Sequence, residues 1–105
     1  MTIEELKNKA FSEIIAYIDA NYTHEPTAFV NGELRNESDQ NQGSAKVLFY
    51  AKMKQFSKED TLKLFAEHYE AVLVDANGTS HQNIRNFIKS GFDGLVFEGI
   101  VLTEK

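Results

Sequence analysis

Asn31-Gly32-Glu33-Leu34-Arg35-Asn36-Glu37-Ser38-Asp39-Gln40-Asn41-Gln42-Gly43-Ser44 contains one Leu and no other large apolar side chain, while the segments on both sides are densely apolar. How this stretch divides decides the fold. Its first dipeptide, Asn31-Gly32, tolerates positive φ at both positions and suits the type I′ turn of a β-hairpin. Residues 27–30 before it are β-prone, and residues 33–36 after it form the returning arm, in which Leu34 alone can reach a core. Residues 37–43 are polar and aperiodic, which is loop chemistry. Ser44 is then placed to cap a helix over residues 45–54, with Ala45, Leu48, Phe49, Ala51 and Met53 facing inward. The run Val47-Leu48-Phe49-Tyr50 has a periodicity that also suits a buried strand. The surrounding Ala, Lys and Met are good helix formers and favour the helix.

Towards the N-terminus, Pro26 pushes Glu25 out of the helical region, so the chain enters the hairpin extended. Before it, Thr2 and Glu5 have the form of a capping box, and Ile3, Leu6, Ala10, Phe11, Ile14 and Ile18 recur at helical spacing. The spacing predicts one helix of about five turns, ending near Asn21 or Tyr22. Towards the C-terminus, Ser57 and Asp60 resemble a capping box, and Leu62, Phe65, Tyr69, Val72 and Leu73 form an apolar stripe, predicting a helix from Ser57 to about Val74. Asn77-Gly78 breaks the chain, and Thr79 with Gln82 caps a short helix that carries Ile84, Phe87 and Ile88 and ends at Gly91. The tail, residues 95–102, reads as two strands joined at Glu98-Gly99. The expected fold is therefore α+β: four helices packed with two short β-hairpins, residues 27–36 and 95–102, which can join into one small antiparallel sheet. The first and third helices should supply most of the core.

At 105 residues, with 42% hydrophobic residues and eight Phe, the chain fits a single domain with one core, residues 1–105. Eleven Lys and Arg against sixteen Asp and Glu give a charge of −5, which repels phosphate backbones and anionic lipid, so nucleic acid and membrane are not expected partners. The absence of Cys excludes disulfides, thiolate nucleophiles and zinc-thiolate sites. The longest apolar run, residues 47–51, is too short to span a bilayer, and the first residues lack the order of a signal peptide, so the expected location is cytoplasmic. No feature assigns an oligomeric state.

The chemistry-bearing residues are few. His24, His68 and His81 are isolated from one another in sequence, so neither a metal nor another cofactor is expected. A calcium loop starting at Glu37 fails, because Gln42 stands where glycine is needed and Leu48 where the bidentate glutamate belongs. Phosphate-binding glycine motifs and the serine-hydrolase elbow are absent. Ser44, His81 and Asp39 make a triad only on paper, and an N-cap serine with two surface residues is the plainer reading. More informative is the spacing of His81, Arg85 and Lys89, which lays three basic groups along one helix face in an acidic protein. The helix start after Gly43 adds free backbone N–H groups, which receive anions in many proteins. If the two meet, Asn36, Asn41, Gly43, Ser44, Lys46, His81 and Arg85 form a site for a small anion. The plainer alternative is that Arg85 and Lys89 pair with surface acids, Ser44 only caps, and the asparagines serve turns.

Taken together, Pro26-Thr27-Ala28-Phe29-x-Asn31-Gly32, Gln40-Asn41-Gln42-Gly43-Ser44-x-Lys46, Thr61-Leu62-x-Leu64-Phe65 with Tyr69, and His81-x-Asn83-Ile84-Arg85-x-Phe87 before Gly91 resemble the HopJ type III effector family. Order and spacing agree from about Phe11 to Leu102. The chain departs from the family pattern with Ala45 in place of a Cys and Phe92 in place of a Trp, and the first change argues against a cysteine role. The resemblance implies a small α+β domain and imports no catalytic residue. Its name implies secretion into a host cell, whereas here an amphipathic helix starting at Ile3 occupies the place of a disordered leader. Two functions follow as expectations. One is a non-enzymatic binding module for a protein partner or small anionic ligand; the other is an enzyme at the same place, with His81 as acid-base and Arg85 holding an anionic substrate.

Overall fold

The computed structural model of the protein describes residues 1–105. Thr2 accepts the Glu5 N–H and Glu5 accepts the Thr2 N–H, closing the capping box that starts α1 (Ile3–Leu6). The helix lasts barely a turn. Ala10 turns extended at φ −69°, ψ 157°, and α2 (Phe11–Asn21) starts afresh, so the single long first helix expected is two. Two glutamates support the restart: Glu13 accepts the Ala10 N–H at 3.1 Å, and Glu67, from the far half of the chain, accepts the Phe11 N–H at 2.9 Å. The apolar spacing runs unbroken through the gap, since Leu6, Ile14 and Ile18 are all fully buried. Periodicity alone therefore hides the break.

After β1 (Tyr22–His24), β2 (Phe29–Asn31) and β3 (Leu34–Asn36) form the first expected hairpin, pairing Asn31 with Leu34. Its turn is Gly32-Glu33 rather than Asn31-Gly32. Gly32, at φ +64°, holds the first central position, where a type II′ turn requires glycine. Asn31 thereby enters the strand and is completely buried, as a one-residue shift of register exchanges the faces of a strand.

The tail does not form the second hairpin. β4 (Leu95–Phe97) adds to the free side of β2, giving the antiparallel order β3-β2-β4, whereas β5 (Leu102–Glu104) pairs with β1 in a separate two-stranded sheet. Hydrogen bonds from Glu98 N to Ala28 O and from Glu25 N to Val101 O stitch the connection to the segment around Pro26 instead of to itself. The α+β class holds with two small antiparallel sheets in place of one.

Residues 47–50 are helical, within α3 (Gln42–Lys54). The helix begins earlier than expected, with Asn41 as N-cap, so Ser44 lies inside the first turn and caps nothing. The long third helix divides into α4 (Lys58–Lys63), capped by Ser57 accepting the Asp60 N–H, and α5 (Glu67–Val74). The bend between them buries both Leu64 and Phe65, neighbours that one straight amphipathic helix would point in different directions, and leaves Leu73 56% exposed outside the core. Next, α6 (Gln82–Ser90) starts at His81, not at Thr79, whose carbonyl instead accepts the Gln82 side-chain amide.

A 3-10 turn, Gly91–Gly94, links α6 to β4. There Gly32 N donates to Gly94 O at 2.8 Å, and a Cβ on Gly94 would lie 3.1 Å from Gly32 N and 2.6 Å from Ser90 Cβ. Only glycine lets the two turns approach this closely. The 19 buried hydrophobic residues form one continuous cluster, drawn from helices and both sheets. No helix is long and apolar enough to cross a membrane.

Candidate functional site

A cleft of about 880 Å³ opens where the starts of α3 and α6 meet β3 and the α4–α5 bend. Asn36 and Asn41 line it beside Gly43 and Ser44, and His81 with Gln82 faces them from α6. Phe11, Phe65 and His68 complete the wall.

Buried amides hold the base of the cleft together. Asn36 and Asn83 are a reciprocal pair: Asn83 Nδ2 donates to Asn36 Oδ1 at 3.0 Å, and Asn36 Nδ2 donates to Asn83 Oδ1 at 3.2 Å. Asn31 Nδ2 donates to the Asn83 carbonyl and side-chain oxygens at 2.8 and 3.0 Å, and Asn41 Nδ2 donates to Asn36 Oδ1 at 2.8 Å. Because Asn41 and Asn83 end on the same oxygen, the hairpin locks the two helix starts into one corner. Buried networks of this kind fix geometry, since an unpaired amide group is costly there; of these four side chains only Asn31 keeps a buried atom, Oδ1, without a partner. Gln42 pins the adjoining loop: its Oε1 accepts the Thr27 N–H at 3.0 Å and meets His24 Nε2 at 3.1 Å, while its Nε2 donates to the Thr27 and Gln40 carbonyls.

Both helix starts are open. Asn41 and His81 occupy their N-cap positions in the left-handed conformation, each at φ 52°, and neither side chain caps its helix. The backbone N–H groups of Gln42, Gly43 and Ser44, and those of Gln82, Asn83 and Ile84, have no acceptor within the protein. Each start carries a partial positive charge from its helix dipole. No acidic side chain lines the cleft, although the chain holds sixteen Asp and Glu. The nearby Glu67 turns away to the Phe11 N–H, and that hydrogen bond holds its carboxyl below the usual glutamate range.

Lys46 and Arg85, expected in the site, lie outside the wall. Lys46 Nζ pairs with Asp19 at 2.8 Å, on the α2 side of α3. Arg85 braces the α5–α6 loop: Nε donates to Ser80 O at 2.5 Å and Nη1 to Ala76 O at 3.2 Å, with Asp75 at 3.9 Å and the side chain only 10% exposed. A helical stripe fixes the face a side chain leaves from, but the loop carbonyls within reach decide where a long guanidinium ends. In place of Arg85, the partner of His81 is His68 from α5, with ring centres 5.0 Å apart. Nothing local marks His68, because the residues that bring it there are distant in sequence. Asn83 stood within the family-like motif, which was its only sequence signal.

A family model described as HopJ type III effector protein matches residues 2–102. Among solved structures, the crystal structure of an unknown-function protein, VPA0580, superposes with a TM-score of 0.91 at 38% sequence identity, covering 95% of this chain and 84% of that one. No curated protein matches the sequence.

Proposed function

The chain belongs to the HopJ type III effector protein family, and from that premise we propose that it is a non-enzymatic binding module whose cleft takes a small anionic ligand. The observation that carries this reading is the pairing of two open helix starts, α3 and α6, in a cleft free of carboxylates. Five of the six unpaired N–H groups, those of Gly43, Ser44, Gln82, Asn83 and Ile84, belong to residues that line it with His68 and His81, so a carboxylate or phosphate finds donors without displacing any hydrogen bond already made. A volume of about 880 Å³ and a concave wall suit a small molecule better than the flat face of a protein partner. The enzymatic alternative needs Arg85 on the substrate, and Arg85 is committed to Ser80 and Ala76.

Titrating phosphate and citrate into the protein tests the reading. Amide resonances of residues 42–44 and 82–84 and the His81 ring should shift together and saturate, and His81→Ala should weaken binding several-fold. Arg85→Met should leave the shifts as they are. Shifts confined elsewhere, or none at millimolar anion, would overturn the proposal.

We place this activity in the cytoplasm: Leu6, Ile14 and Ile18 are fully buried, so the segment that carries them is part of the folded domain. Efficient export of a reporter fused to that segment through a type III apparatus would contradict this.

A further inference from the structure

The cleft has an aromatic side as well as an electropositive one. Phe11 stacks on Phe65 with ring centres 6.0 Å apart and planes 13° apart, and meets the His68 edge at 4.8 Å and 71°. His68 then lies against His81 at 5.0 Å and 36°, so four rings from α2, the α4–α5 bend, α5 and the α6 start form an unbroken row. Phe65 is buried and fixes the row from behind, while Phe11 and His68 are half-buried and His81 is exposed. Phe11 and His68 are held by packing, so a ligand need not order them. Apart from this row, only Leu34 and Ile84 give the wall apolar character.

Resting on the anion-binding reading above, we infer that the ligand class is a planar aromatic anion: an aromatic or heteroaromatic ring bearing a carboxylate or phosphate. Its charged group meets the N–H groups at the starts of α3 and α6, and its ring lies along Phe11, His68 and His81. Aliphatic anions of equal charge satisfy the first half of the cleft and leave the second unused. Ring stacking contributes beyond area burial, because the positive edge of one ring meets the negative face of another.

Benzoate and cyclohexanecarboxylate, which share charge and approximate size and differ in the ring, separate this inference from the one it rests on. Benzoate should bind about tenfold more tightly, as expected when a ligand ring stacks on one or two aromatic side chains. It should also move the Phe11, His68 and His81 ring resonances upfield, which cyclohexanecarboxylate does not. Phe11→Leu, a volume-conserving change, should reduce the preference with little effect on cyclohexanecarboxylate. Equal affinity for the two ligands overturns the aromatic class and leaves the anion site standing. Binding of neither, or shifts outside the cleft, overturns both.

Discussion

Ala66 adopts φ 52° and ψ −123°, a conformation that suits glycine and that a Cβ resists. Four non-glycine residues have positive φ, and three of them surround the cleft: Asn41 and His81 line it, and Ala66 stands at the bend that delivers Phe65 and His68 to it. Asparagine tolerates the left-handed region, and here its side chain is tied to Asn36, so Asn41 needs little compensation. Ala66 has no polar side chain with which to offset its strain. Ala66→Gly should therefore stabilise the protein by about 1 kcal/mol, the relief of an unfavourable φ/ψ less the added entropy of an unfolded glycine. A urea midpoint that rises at unchanged slope would show it, and a fall would mean that the Cβ makes a contact worth more than the strain.

At the scale of elements, the restart of α2 depends on α5. Glu67 accepts the Phe11 N–H across 56 positions of sequence, and this bond, the largest influence on the carboxyl, lowers its pKa from the usual 4.5. The sign follows from linkage: a carboxyl with a depressed folded pKa binds fewer protons in the native state, so its contribution is present above the unfolded value and disappears as pH falls through the folded one. Replacing Glu67 with Gln removes the titration and keeps an acceptor at the cap. The gap in urea midpoint between wild type and Glu67→Gln should be widest at neutral pH and should close as pH falls below the usual glutamate value. A gap independent of pH would show that the carboxylate's charge contributes nothing at this helix start.

Over the whole molecule, the amide cluster joins parts of the chain that are otherwise far apart. Asn83, on α6, bonds with Asn31 on β2 and Asn36 on β3, separations of 52 and 47 positions, and through Asn36 with the N-cap of α3. Asn83→Ala removes its side-chain bonds and leaves the buried Asn36 Nδ2 with only a 3.5 Å approach to Phe29 O. It should cost about 2 kcal/mol, the range for a buried donor left unsatisfied, and should raise hydrogen exchange in the first turns of α3 and α6 together. Exchange increased in α6 alone would show that the cluster does not couple the two helix starts.

How much was legible in advance depends on how far each structural cause lies along the chain. The sequence by itself determined the α+β class, the hairpin after Pro26 and the polar loop after Asn36, and favoured the helical state of residues 47–50, because propensity, glycine placement and apolar spacing act over a few residues. It also brought Asn36, Asn41, Gly43, Ser44 and His81 into one candidate group. Tertiary structure alone decided the rest. Glu67 restarts α2 from another helix, β4 and β5 leave each other for β2 and β1, Lys46 and Arg85 find partners off the cleft, and His68 meets His81. Each of these turns on a hydrogen-bond acceptor, strand edge or ring supplied from elsewhere in the fold, and such a partner leaves no mark on the local pattern of the residue it engages.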